Sequence, residues 1–341
     1  FLFTSPAAAQ ETSGARVAEE FARPALAALA QSAEALADAV EALCETPGEP
    51  ALADARNAFA VTVEDWGQAS VLRFGPLAAD NRFERIFFWP DPRGIALRQV
   101  QKLLAEEDKS ATIPENLAGK SAALQGLPAL GFVLHGAGAD ELAREGGFRC
   151  RYGAAVARNV ADIAGEVLAG WQAETPFATI FVAPAPGSEP YRSEAEVDGE
   201  IVKALTTTFQ YVRAAELLPP LGEEPKKANG KRAPLWRSDL SFRLMTTQIK
   251  GARDLLDAAG YSGTLAEDGG WIVDSIDFEL ENALRMLDEV EGAAETAFKD
   301  EADRGRLNFV NLALDHAGHL VSEQLSAALG LTMGFNALDG D

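Results

Sequence analysis

PALAALAQSAEALADAVEALC, residues 24–44, decides the fold. Leu26, Leu29, Ala33, Leu36, Val40 and Leu43 recur at steps of 3, 4, 3, 4 and 3. Only an α-helix keeps such a seam on one face, here over about five turns. Alanine fills much of the remaining surface. It has the highest helix propensity and lets neighbouring helices approach closely. Pro24 heads the seam, so the helix either starts there or is kinked there. After the break at Pro47-Gly48-Glu49-Pro50 the pattern returns at Leu52, Ala55, Phe59, Val63 and Trp66. Further helices are predicted around residues 95–106, 115–135 and 152–172. Between residues 174 and 190 the pattern stops at Pro176, Pro184, Pro186, Gly187 and Pro190, which marks the best domain boundary. The apolar piece at residues 179–182 reads as a short strand with no evident partner. Beyond it Ile201, Leu205, Thr208, Val212 and Ala215 restart a helical seam. A Pro/Gly/Lys-rich loop covers residues 219–234. Three more helices are seeded by Leu240 and Leu244, by Ile276, Leu280, Leu284 and Leu287, and by Leu307, Val310, Leu314, Ala317 and Val321. The expected fold class is all-α: two antiparallel helical-bundle domains, residues 12–180 and 181–341, after a short leading segment, residues 1–11.

The chain has 341 residues, with 30 Lys and Arg against 52 Asp and Glu, a formal charge of −22. So acidic a chain repels phosphates and anionic lipid, which disfavours nucleic acid and membrane surfaces as partners. No apolar run approaches the roughly 18 residues of a membrane helix. Phe1-Leu2-Phe3-Thr4-Ser5-Pro6-Ala7-Ala8-Ala9-Gln10 reads as the tail of a secretory signal peptide, which makes an exported protein the expectation. Two cysteines, Cys44 and Cys150, stand far apart, and neither belongs to a C-x-x-C pair. In an exported protein such a pair is expected to join as a disulfide; the rival reading is two buried free thiols.

Chemistry is harder to read. Nucleophile-elbow, H-E-x-x-H, P-loop and Rossmann glycine motifs are all missing. His316, His319 and Glu323 share one helix face, a spacing that suits zinc or iron, although such residues are more often hydrogen-bonded or solvated. Arg73-Phe74-Gly75-Pro76, Asn81-Arg82-Phe83 and Phe87-Phe88-Trp89-Pro90 place basic residues among aromatics and turns. They form either an anion- or substrate-binding wall between helices, or a bundle cap whose arginines satisfy helix carbonyls. In Trp236-Arg237-Ser238-Asp239-Leu240-Ser241, Ser238 or Asp239 is expected to cap a helix. Lys226, Lys227, Lys231 and Arg232 read as a solvated loop, because no aromatic platform interleaves with them.

Gly126-Leu127-Pro128-Ala129-Leu130-Gly131-Phe132, preceded by Trp66 and the Arg73–Pro76 turn, resembles the imelysin-like family of exported proteins. The Arg237–Ser241 helix start and the ending Gly334-Phe335-Asn336-Ala337-Leu338-Asp339-Gly340-Asp341 are also similar to it. That resemblance covers essentially the whole chain. It implies two related helical bundles, export, and a link to iron acquisition. The family's founding member is described as a metallopeptidase with a G-x-H-x-x-E metal motif. Here Pro128 stands at the histidine position and Gly131 at the glutamate position, and neither has a side-chain donor. The peptidase activity is therefore not carried over, although His135 lies one turn further on. The resemblance gathers Trp66, Arg73, Phe74, Pro76, Arg82, Gly126, Pro128, Gly131, Arg237, Ser238 and Ser241 at a site between the bundles. The expected function is a periplasmic, non-enzymatic binding or accessory protein of iron uptake. Its ligand is an unidentified small molecule or an iron-uptake component. The alternatives are a metallopeptidase with a non-standard site at His316, His319 and Glu323, and a cell-envelope scaffold.

Overall fold

The computed structural model describes residues 11–265 and 269–331. Residues 1–10 and 332–341, which hold nearly all of the expected leader and the family-like ending, lie outside the described residues. The principal helices are α1 (Arg23–Glu45), α2 (Glu49–Ala69), α3 (Ile95–Glu106), α4 (Leu127–His135), α5 (Phe148–Gly170), α6 (Pro176–Val182), α7 (Glu194–Tyr211), α8 (Ser241–Ala259), α9 (Gly270–Asp288) and α10 (Glu301–His319). Among the described residues there is no strand, and the fold is all-α as expected.

The residues of the opening seam, Leu26 to Leu43, are all buried, and α1 packs them against α2 and α5. With α4 these helices make the first bundle. In the second, α7 packs against α8 and α10, while α9 packs against the same two helices. One continuous apolar core runs through both, since α2 also lies against α8. The two helices meet at glycines: a Cβ on Gly67 would stand 2.0 Å from Thr247 Oγ1, and one on Gly251 2.8 Å from the Gln68 carbonyl oxygen. Any side chain there would push the bundles apart.

Local chemistry explains where the elements differ from expectation. Pro24 lies in the first turn of α1, and a π-helical turn, Val17–Ala22, leads into it. Proline has no N–H to give, and the wider turn continues the helix through that gap. Residues 179–182 are not a strand. They end α6, which Pro176 starts and Thr175 caps by accepting from the Ala178 N–H at 3.3 Å. A short apolar run has no periodicity to separate strand from helix, and the Thr-Pro start signal decides it. The helix expected over residues 115–135 is instead a short one, Pro114–Ala118, followed by α4. Gly126 separates them in extended backbone, and a Cβ there would meet the Ile86 carbonyl oxygen at 2.2 Å.

Two long-range ties complete the frame. The Cys44–Cys150 disulfide joins the end of α1 to the first turn of α5 across 106 positions, which removes the free-thiol alternative. Residues 12–16 are tied to the second half. Thr12 Oγ1 donates to the Val182 carbonyl at 3.1 Å, Ser13 bonds Asp198, and Arg16 Nε donates to the Ala258 carbonyl at 3.3 Å.

Candidate functional site

A cavity of about 560 Å³ opens where four separate segments meet. Its walls are the first turns of α4 (Pro128, Ala129, Gly131, Phe132), the stretch Phe88 to Pro92 with the start of α3, the chain around Ala215 and Pro219, and residues 231–238. That volume is within the range of about 300–1,000 Å³ usual for small-molecule sites.

Trp89 is the strut of this cavity. A π-helical turn, Val212–Leu217, follows α7 and runs into Pro219 and Pro220. Neither proline has an N–H, so the Ala215 carbonyl loses the donors four and five residues on. Trp89 Nε1 supplies the missing bond at 2.8 Å, and Tyr211 Oη donates in turn to the Trp89 carbonyl at 2.9 Å. Replacing Trp89 with phenylalanine keeps the apolar wall and leaves that carbonyl unpaired. A stability loss of about 1–2 kcal/mol is expected, read as a lower Tm, against little change for Trp236→Phe, whose indole makes no such bond among the described residues.

The opposite wall is basic and aromatic. Arg237 Cζ lies 4.4 Å from the Trp236 ring centroid and 5.3 Å from that of Phe132. Partial burial lowers the Arg237 pKa from its ordinary value. Lys231 stands 5.2 Å from the same indole and is paired with Glu295 at 2.9 Å. Leu235 (φ 55) and Asp239 (φ 57) bracket the turn in left-handed backbone, which is strained for non-glycine residues and gathers at functional sites. Lys231 and Arg232 are exposed, as the solvated-loop reading expects, and they also border the cavity. Neither Ser238 nor Asp239 caps α8. Ser238 Oγ donates to the Leu235 carbonyl at 2.9 Å, and Asp239 accepts from the Ala294 N–H at 3.1 Å.

Of the residues expected at an inter-bundle site, Pro128, Gly131, Arg237 and Ser238 line the cavity. The others do structural work behind it. Arg82 pairs with Glu166 at 3.0 Å and Asp80 at 3.1 Å, and donates to the Pro76 carbonyl at 3.1 Å. Phe74 packs against Trp171 and Phe181, and Ser241 Oγ donates to the Pro234 carbonyl. Trp66 is fully buried against Phe83 and Phe87. Arg73 lies over the Phe83 ring at 3.7 Å and the Tyr211 ring at 4.6 Å, with Glu84 3.9 Å away, and burial lowers its pKa.

Near Arg73 is a group that the sequence did not single out. Glu216, in the π-helical turn, is completely buried and accepts from Gln248 Nε2 at 3.1 Å. Burial pushes its pKa from 4.5 up to about 8, against smaller opposing effects of Gln248 and Arg73. Its second oxygen, Oε2, and Gln248 Oε1 have no hydrogen-bond partner among the described residues. The missed signal was a carboxylate on the apolar seam one turn before Pro219-Pro220.

The imelysin family model matches residues 22–320. The chain belongs to the imelysin family. Its fold is similar to the crystal structure of an imelysin-like protein from Psychrobacter arcticum, with a TM-score of 0.77, 19% identity, and 94% of this chain and 96% of that one covered. It is also similar to a structure from Parabacteroides distasonis, of a protein proposed to be an iron-regulated protein A precursor, with a TM-score of 0.76, 12% identity and 96% of each chain covered. No curated protein matches the sequence.

An imelysin-type metal does not fit the residues present. Pro128 and Gly131 offer no donor, and a Cβ at 131 would crowd Phe59 at 3.2 Å and Leu235 at 3.3 Å. The one carboxylate in the cavity wall, Asp91, is engaged, each oxygen accepting a backbone N–H of α3, from Ile95 at 2.7 Å and Ala96 at 2.8 Å. His135 packs on Phe59, and burial lowers its pKa to about 4, with Arg56 contributing. His316, His319 and Glu323 do not converge: His316 faces Glu279 at 3.5 Å and His319 faces Glu323 at 3.3 Å, both on exposed surface. Among the described residues no group of three His, Cys, Asp or Glu is placed to hold an ion.

Proposed function

We propose that this imelysin-family chain is a binding protein without peptidase activity, whose cavity between the bundles takes a small organic molecule. The observation that carries this reading is the cavity of about 560 Å³ at the family's motif turn, walled by Trp89, Phe132 and Trp236, with Pro128 and Gly131 at the motif's donor positions. A periplasmic setting and a role in iron uptake belong to the same proposal. They are supported by the leader-like start, the disulfide, and the likeness to a protein named as an iron-regulated precursor. Bare ferric ion finds no oxygen cage in this wall, so the link to iron would run through an organic ligand. The division of the domains near residue 180 is retained as part of this reading.

Calorimetric titration with ferric ion, haem and small organic anions tests it, beside incubation with an unfolded protein substrate with and without chelator. Binding of an organic compound, silence toward ferric ion alone and no cleavage are expected. Chelator-sensitive cleavage would overturn the proposal.

A further inference from the structure

We infer that the cavity is a receptor for a small organic carboxylate with an aromatic or aliphatic body, and that Arg237 is the group that receives the carboxylate. The inference rests on the binding reading above and adds the chemical class of the ligand.

The local charge runs against the rest of the molecule. Over a chain of net charge −22, the cavity is lined by three basic side chains, Lys231, Arg232 and Arg237, and a single acidic one, Asp91. Lys231 is neutralised by Glu295 and Asp91 by two backbone N–H groups. Among the described residues, no carboxylate lies within ion-pair distance of Arg232 or Arg237. An acidic protein has ample Asp and Glu to cover such cations, yet these two guanidiniums stand unpaired at the open side of the cavity, available to an anion from outside.

Arg237 is also prepared for one. The guanidinium lies over the Trp236 and Phe132 rings, which position it without engaging its N–H groups in hydrogen bonds to an acceptor oxygen. None of those N–H groups has an acceptor among the described residues. A planar fork matches a carboxylate through two parallel bonds. The strained residues Leu235 and Asp239 fix the turn that carries it, so little order is lost on binding. The first turn of α4 lines the same space and brings the positive end of that helix's dipole. The remaining wall, with Phe88, Trp89, Leu97 and Val100, is apolar and suits the ligand's body rather than a strongly hydrated phosphate.

Three probes of one shape test the inference by calorimetry on the full chain: indole-3-acetate, 3-methylindole and tryptamine, with inorganic phosphate as a fourth arm. Indole-3-acetate is expected to bind at least tenfold more tightly than 3-methylindole, with tryptamine and phosphate silent. Arg237→Gln should erase the difference between the acid and the neutral indole, Arg237→Lys should restore part of it, and Lys226→Gln, which changes an exposed residue outside the cavity, should leave it intact. Equal affinity for acid and neutral indole in the wild type would overturn the carboxylate assignment while leaving the binding reading standing. Displacement of indole-3-acetate by phosphate would also overturn it. Silence toward all the indoles would count against both.

Discussion

Replacing Cys44 and Cys150 together by alanine is expected to lower stability by about 4 kcal/mol. The bond closes a loop of 106 positions, and in the chain-entropy model a closure of that length stabilises by up to roughly 4.7 kcal/mol. At typical unfolding entropies for a chain of this size, the loss corresponds to a Tm lower by about 6 °C. Both sulfurs sit where main elements of the first bundle start and stop, so the native packing of α1 on α5 should survive. Thermal melts of wild type with and without dithiothreitol, beside the double variant, check this. Reduced wild type and variant should coincide. If the variant melts with oxidised wild type, the bridge contributes nothing measurable.

Glu216→Gln should change the pH dependence of stability. The folded-state pKa of about 8 lies above the ordinary 4.5, so folding holds a proton that the unfolded chain releases. The group's contribution is therefore complete below about pH 4.5 and is lost as the pH rises through about 8. By linkage the decline reaches about 4 kcal/mol by pH 8. A proton on Oε2 also accounts for the two unpaired atoms. Protonated Oε2 is a donor, and Gln248 Oε1, on the amide already joined to Glu216 Oε1, is an acceptor without another partner among the described residues. Glutamine at 216 supplies the same second donor at every pH. Denaturant titrations from pH 5 to pH 8 should show a downward slope in wild type and a flatter curve in the variant, which becomes the more stable protein at pH 8. Parallel curves would mean that Glu216 does not hold its proton.

Helices with a long, strict seam were legible from sequence. Residues 95–106 and the seams from Leu26, Leu52, Ile276 and Leu307 are helices as expected, because a 3.6-residue repeat over several turns has no competing explanation. Reading weakened wherever the deciding interaction was remote. Gly126 breaks a helical pattern because its backbone abuts Ile86, forty positions earlier in the chain. The cavity was legible in fragments. Pro128, Gly131, Arg237, Ser238 and the aromatic run at 88–90 were singled out, but Arg73 and Arg82 also looked like binding arginines. A sequence does not reveal that Arg82 already has Glu166, or that Arg73 lies over Phe83. Nor does it reveal that Lys231, in a lysine-rich loop, lies over the Trp236 ring. Charge compensation is a property of three-dimensional neighbours.

The anchoring of residues 12–16 on Val182, Asp198 and Ala258 has a consequence for the order of folding. The turn at residues 12–16 has its full docking place only once some 240 later residues are in position. The α1–α2 hairpin can assemble early from local contacts, but closure of the whole molecule must await α8. Such sequence-distant pairings slow the last step, and they leave residues 12–16 the final piece to settle.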